Sequence, residues 1–167
     1  MNDIATLFTA LWGQTEQDLA RASVRPRLSK GTVAYRFHFV GLEAGSYEWN
    51  AGAPRIQLYR SGNLPDDVER PDLVTQPADD ACILAYERGH FISDPIGDRS
   101  QSAYASFREG IPLALPQKTA IFEEERRAWH NARLVLKRLG WTDWASFEAM
   151  QWRLLHGYSE GLAQPRE

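Results

Sequence analysis

Residues 81–93 constrain the fold of this chain most, because they combine an apolar helical stretch with three side chains that can do chemistry. Tyr86 and His90 are four residues apart, so in a helix they lie one above the other on the same face. Glu87 lies beside them, three residues before His90. The sequence therefore predicts one helix that presents a phenol, a carboxylate and an imidazole close together.

The spacing of these side chains matches the helical pattern His-Glu-x-x-His, with a tyrosine in place of the first histidine. In that pattern two histidines four residues apart bind zinc, and the glutamate acts as a general base. The segment here reads Tyr-Glu-Arg-Gly-His over residues 86–90. A phenol is longer than an imidazole and has an unperturbed pKa of about 10. We therefore expect zinc binding to be weak or absent with Tyr86 in place.

The composition is that of a soluble globular domain. The chain has 167 residues, of which 43% are hydrophobic and 25% charged, enough for one domain with a real core. The net charge of -3 argues against a non-specific nucleic-acid binder, and no apolar run reaches the roughly 18–20 residues of a membrane helix. The start lacks signal-peptide features, and Cys82 is the single cysteine. We expect one cytoplasmic domain over residues 1–167, with a flexible tail over 157–167.

Hydrophobic periodicity divides the first half of the chain into a helix and strands. Residues 3–22 show apolar positions at spacings of three, four and seven, which predicts an amphipathic helix. The period then changes to two, which predicts strands over 32–39, 47–50 and 55–60. Together these segments predict an α+β fold. In that fold a small antiparallel sheet packs against the N-terminal helix and a pair of metal-site helices.

The second half of the chain is predicted to be helical around one long loop. Residues 95–117 contain three prolines and two glycines, so we expect an irregular segment, and loops this long are often functional. A helix follows from about residue 118 to 139, with Gly140 at the position of a C-terminal cap. Thr142 is placed to cap a last helix.

A carboxylate interrupts the apolar stripe of the helix over 118–139. Glu125 lies four residues after Ile121 and three before Ala128, where an apolar residue is expected. A buried carboxylate is costly unless it is paired or binds a metal. We therefore expect Glu125 to meet the face that carries Tyr86 and His90. Two helices of this kind would give a three-ligand site with one position open to water.

These residues resemble a known family. Residues 83–93 are similar to the active-site helix of gluzincin zinc metallopeptidases, in which apolar residues flank His-Glu-x-Gly-His. Glu125 and Ala128 resemble the Glu-x-x-Ala of the glutamate helix in that family. The order of elements is similar to that of the compact bacterial ImmA/IrrE-type peptidases, over residues 54–139. The resemblance implies a minimal zincin-like fold.

The resemblance also implies a role for each matching residue. His90 takes the place of the second zinc ligand and Glu125 that of the third, while Tyr86 stands at the first. Glu87 takes the place of the general base, which accepts a proton from zinc-bound water and later gives it to the leaving amine. The strand before the metal helix would lie at the sheet edge and align a peptide substrate through Arg55, Ile56, Gln57, Leu58 and Tyr59.

Three functions follow from these observations. The first is a zinc metallo-endopeptidase scaffold, impaired or inactive because Tyr86 replaces a ligand. The second is a catalytically inactive pseudo-peptidase that binds a protein or peptide and acts as an adaptor or regulator. In the third, a structural or interaction module, Tyr86 and His90 are hydrogen-bonded core residues and Glu125 forms an ion pair. The sequence indicates no nucleic-acid or membrane partner and leaves the oligomeric state open.

Overall fold

Helices make up most of the structure. The computed structural model describes residues 3–22, 27–29, 36–38, 41–43, 45–50, 53–58, 77–93, 101–108 and 110–163. Side chains are described for 3–19, 21, 80–93, 103–104, 106–107 and 110–163. The helices within these residues are α1 (Ile4–Ala22), α2 (Pro77–Ser93), α3 (Gln101–Arg108), α4 (Leu115–Arg138) and α5 (Trp144–Ala163).

Short strands follow α1 in the backbone. They are β1 (Arg27–Ser29), β2 (Arg36–His38), β3 (Gly41–Glu43), β4 (Gly45–Asn50) and β5 (Ala53–Leu58). β5 lies between β1 and β4, and it pairs parallel with β1 and antiparallel with β4. β2 and β3 form a separate antiparallel pair.

The predicted α+β fold with an antiparallel sheet is wrong. The part of the chain with described side chains is helical and contains no strand or sheet. Where the backbone of the described residues pairs as strands, the pairing is mixed, because β1 runs parallel to β5. A period of two is a local property of the sequence. It does not specify which strands pair, in which direction they pair, or whether they form the core.

α2 is the central helix of the core. Every residue from 81 to 89 is buried, as expected for a helix that is covered on all sides. α2 packs most extensively against α4 and also against α1 and α5. The largest fully buried apolar side chains in this core are Leu11, Leu19, Leu84, Trp129, Leu136 and Phe147.

The backbones of α2 and α4 approach each other closely at Gly89. A Cβ atom at this position would lie 2.8 Å from the carbonyl carbon of Ala128, and closer still to its oxygen. Ala128 and Ala132 are themselves fully buried, so small side chains border the crossing. The close approach brings the side chains on either side of Gly89 within reach of α4.

A buried ion pair joins α2 to α1. The Arg88 guanidinium donates to the Asp18 carboxylate and, at 3.2 Å, to the side-chain oxygen of Gln14. The Arg88 side chain is only 10% exposed. Burial lowers the pKa of Arg88, while the charge of Asp18 opposes that shift. The pair holds one side of α2 against α1, and Tyr86 and His90 lie on the side that meets α4.

Part of the segment predicted to be irregular forms α3. Ala103, Tyr104 and Phe107 lie on one side of this helix and pack with Ile121 of α4 and Leu162 of α5. The prediction of a loop over 95–117 is therefore wrong for residues 101–108. Its prolines and glycines lie outside α3 and do not interrupt it.

The ends of the later helices also differ from the predictions. α4 begins at Leu115, three residues earlier than predicted, because a proline is tolerated in the first turn of a helix. Gly140 has a φ of 81°, in agreement with its predicted place after the helix end. α5 continues to Ala163 instead of ending near residue 157, since Leu162 is buried against α3 and α4.

Candidate functional site

Side chains from three helices meet around the carboxylate of Glu125. The Tyr86 hydroxyl donates to Glu125 Oε2, and the Tyr104 hydroxyl donates to Glu125 Oε1. His90 Nε2 lies 3.6 Å from Glu125 Oε2. On its other side, His90 Nδ1 lies 3.4 Å from Oε1 of Glu124. We call Tyr86, His90, Tyr104, Glu124 and Glu125 the polar centre.

Helix geometry explains why these groups converge. α2 supplies Tyr86 and His90 one turn apart, and their rings meet edge to face at 4.7 Å between centroids. The Tyr86 ring also stacks on Trp129 of α4 at 4.5 Å. α4 supplies two adjacent carboxylates, of which Glu125 is only 1% exposed. The polar centre therefore lies inside the helical core, with apolar packing around it.

The structure brings three of the predicted site residues together, namely Tyr86, His90 and Glu125. Glu87 is buried on the same helix, and its charge raises the pKa of both Tyr86 and His90. The roles of these residues as metal ligands and general base stay predictions. The packing of α2 against α4 is enough to bring these side chains together, so their convergence is not evidence for a metal ion.

The predicted substrate strand does not lie at a sheet edge. β5 is hydrogen-bonded to β1 on one side and to β4 on the other. Adding a peptide strand requires an unpaired edge, which β5 lacks. The expected edge position is therefore not found, while the role of Arg55, Ile56, Gln57 and Leu58 in substrate binding stays a prediction. Tyr59 lies outside the described residues.

Sequence reasoning missed Tyr104 and ranked Glu124 only second to Glu125 as the carboxylate that meets His90. Tyr104 lies in a segment that was predicted to be irregular because of its prolines and glycines. Ala103 and Phe107 in that segment are four residues apart, which is a helical signal. Glu124 lies at the margin of the apolar stripe of α4, which favoured Glu125 over it, yet the structure places both carboxylates beside His90. Tyr158 on α5 packs against the same apolar cluster as Tyr104, and its ring stacks on Phe107 at 6.1 Å between centroids.

The charges of the polar centre compensate one another. Burial lowers the pKa of His90, but the charge of Glu125 and hydrogen bonds to both glutamates outweigh it and raise that pKa to about 10. Burial raises the pKa of Glu124, but its contacts with His90 and Arg127 prevail and lower it. Two carboxylates therefore face one imidazolium and the Arg127 guanidinium, which lies 3.0 Å from Glu124.

The two phenols of the polar centre stay protonated. Burial, followed by the charge of Glu125, raises the pKa of Tyr86 and of Tyr104 well above the usual value. A protonated phenol donates its hydrogen, and Glu125 has one oxygen for each of the two donors. The carboxylate is thus satisfied by protein donors alone.

The donors do not fit the predicted zinc site. Zinc in proteins takes thiolate, imidazole and carboxylate ligands, and the polar centre has the protonated phenol of Tyr86 where the first ligand is expected. Among the residues whose positions are described, no group of three or more His, Cys, Asp and Glu side chains is arranged to hold a metal ion. Weak or absent zinc binding stays a prediction for solution measurement.

Comparison with protein-family models, with curated proteins and with solved structures finds no match. The resemblance to gluzincin and ImmA/IrrE-type peptidases is therefore wrong: no family supports it, and the part with described side chains consists mostly of helices and contains no strand. Across the described residues, no helix is both long and apolar enough to cross a membrane.

Proposed function

We propose that this chain is a binding protein without hydrolytic activity, in which the polar centre holds α2, α3 and α4 together. Its partner would be a protein or peptide. One observation carries the lack of hydrolytic activity and the structural role of the polar centre. The Tyr86 hydroxyl donates to Glu125 Oε2, the same oxygen that faces His90 Nε2.

In this contact the side chains that would bind a catalytic metal ion are already bonded to each other. Catalytic metal sites keep a ligand position open for water or substrate. Here the phenol of Tyr86 bonds to the oxygen that an ion shared by His90 and Glu125 would need. The remaining carboxylate oxygen accepts the hydroxyl of Tyr104. These contacts support a structural role for the polar centre over a catalytic one.

Exposed apolar side chains support a role in binding. Leu115 is 76% exposed at the start of α4, and the exposed Ile111 lies four residues before it. On α5, Trp152 is 68% exposed and stacks on His156. Tryptophan is one of the residue types enriched among the side chains that contribute most to binding at protein interfaces. These positions are candidates for contact with a partner.

A second function, metal-dependent hydrolysis, has one observation in its favour. His90 Nε2 and Glu125 Oε2 lie 3.6 Å apart, and the buried Glu87 precedes His90 by one turn. A histidine at position 86 would add an imidazole on the same helical face. The two functions therefore predict different behaviour for the chain as written and for Tyr86→His.

Hydrolysis of an unstructured protein substrate separates the two functions. We expect the chain to cleave no substrate above background, with or without added zinc, because the Tyr86 phenol closes the polar centre. Product peptides can be counted by mass spectrometry. Glu87→Gln is the control, since it removes the carboxylate that a hydrolase would use as a base. Cleavage by the unaltered chain that disappears in Glu87→Gln would overturn the proposal, and zinc-dependent cleavage confined to Tyr86→His would support it.

A further inference from the structure

The second half of α4 carries charge of one sign. Residues 126–138 contain five of the 19 Lys and Arg residues of the chain and none of its 22 Asp and Glu residues. The other residues therefore hold 14 basic and 22 acidic side chains, a net charge of -8 against +5 in this segment. A concentrated field of one sign attracts partners of the opposite charge.

The exposed side chains of this segment lie on one continuous face. At 100° per residue, positions 126, 127, 130, 134, 137 and 138 fall within about 120° of the circumference of α4. The side chains of Ala128, Trp129 and Ala132 are buried on the opposite side. We call the six exposed residues the basic face: Arg126, Arg127, His130, Leu134, Lys137 and Arg138.

An exposed leucine lies among these polar side chains. Leu134 is 42% exposed. Its neighbours on the helix surface are His130 one turn before it and Lys137 and Arg138 one turn after it. A partner that covers Leu134 therefore comes within reach of the cations around it.

The cations at the C-terminal end of the basic face are available to a partner. Arg127 pairs with Glu124 of the polar centre at 3.0 Å, and Arg126 pairs with another glutamate of α4 at the same distance. Among the described residues, no carboxylate lies within ion-pair distance of Lys137 or Arg138. The negative end of the helix dipole favours cations in the last turn, but it does not account for the exposed leucine beside them.

We propose that the basic face binds an acidic segment of a partner protein, in which carboxylates flank a large apolar side chain. This inference rests on the proposed binding function and names the chemistry of the partner. The apolar side chain covers Leu134, and the carboxylates pair with Lys137 and Arg138, as in other acidic motifs that clustered cations recognise. A nucleic acid fits less well, because its phosphates offer Leu134 no apolar contact.

Fluorescence anisotropy of a labelled peptide tests the basic face in the full chain. The probe is a short fluorescein-labelled peptide with glutamates on both sides of a central leucine. We expect saturable binding that weakens as salt is added, because salt screens surface charges. Lys137→Glu should weaken binding by about 10-fold or more, since an attraction becomes a repulsion. Leu134→Ser should weaken it by about 5-fold through the lost apolar contact.

Lys118→Glu is the matched control, because it makes the same charge change on the same helix. Lys118 lies near the start of α4, about 28 Å along the helix axis from Lys137. At physiological salt this distance exceeds the screening length, so the affinity should stay within about two-fold of that of the unaltered chain. Helical circular dichroism checks that each variant folds. A peptide with glutamine in place of every glutamate should not bind.

Three outcomes would overturn the basic face as the binding surface. They are no saturable binding of the peptide at low salt, equal losses in Lys137→Glu and Lys118→Glu, and tighter binding of an oligonucleotide of the same charge. Peptide binding that is lost in Trp152→Ala but unchanged in Lys137→Glu would move the contact to α5 and leave the binding function intact. None of these results bears on the lack of hydrolytic activity, which product peptides test.

Discussion

Gly89→Ala is expected to lower the free energy of unfolding by about 3 kcal/mol, at the upper end of the usual cost of overpacking a core. The added Cβ would lie 2.8 Å from the carbonyl carbon of Ala128. Because the obstacle is backbone, α2 and α4 must move apart rather than change a rotamer. Separation also pulls Tyr86 and His90 away from Glu125. Denaturation by urea, followed by helical circular dichroism, measures the loss.

Gly13→Ala is the matched control for this crossing. Gly13 lies within α1, and a Cβ atom there meets nothing within 4 Å. Alanine is the better helix former by about 1 kcal/mol, so this variant should be neutral or more stable. Equal losses in the two variants would contradict a specific close approach at Gly89.

Glu125→Ala is expected to cost about 3–5 kcal/mol of unfolding free energy, the range for removing one partner of a buried charged pair. The substitution leaves the hydroxyls of Tyr86 and Tyr104 without their acceptor and leaves the His90 imidazolium with one carboxylate fewer. It also creates a cavity at a side chain that is 1% exposed. Thermal and urea denaturation would both report the loss.

Glu123→Ala controls for the removal of a carboxylate from the same helix. The Glu123 side chain is 45% exposed and pairs with Arg126 on the surface at 3.0 Å. Exposed pairs of this kind contribute about 0–1 kcal/mol. If Glu123→Ala and Glu125→Ala unfold at the same denaturant concentration, the polar centre does not stabilise the fold.

The sequence was sufficient to predict the meeting of two helices. A carboxylate in the apolar stripe of α4 needs a buried partner, and the face with Tyr86 and His90 supplies a phenol and an imidazole. The structure places these groups together. Both signals are local periodicities of single helices, which is why sequence alone can reveal them.

The resemblance to a peptidase failed for a physical reason. A reactive pair at i and i+4 on one helix, with a glutamate on the next, is also what a buried hydrogen-bonded cluster requires. The sequence pattern cannot distinguish a site in which Tyr86 and Glu125 bind one metal ion from one in which Tyr86 donates a hydrogen bond to Glu125. Only the contacts in the structure can therefore show which groups interact at the centre of the motif.

The remaining errors concern long-range pairing. The place of β5 between two strands depends on partners elsewhere in the chain, and alternation along residues 55–60 carries no information about them. The helix over residues 101–108 packs against Ile121 and Leu162, which lie on later helices. This packing places Tyr104 next to Glu125 in the polar centre.

The central claim is that the polar centre is closed by its own charges, with a buried imidazolium between two carboxylates. Titration of the His90 ring nitrogens by NMR tests it most directly. We expect His90 to remain doubly protonated as the pH rises through 8 and to lose a proton only near 10. A ring that loses its proton near the value of about 6.5 for a free imidazole would contradict the claim.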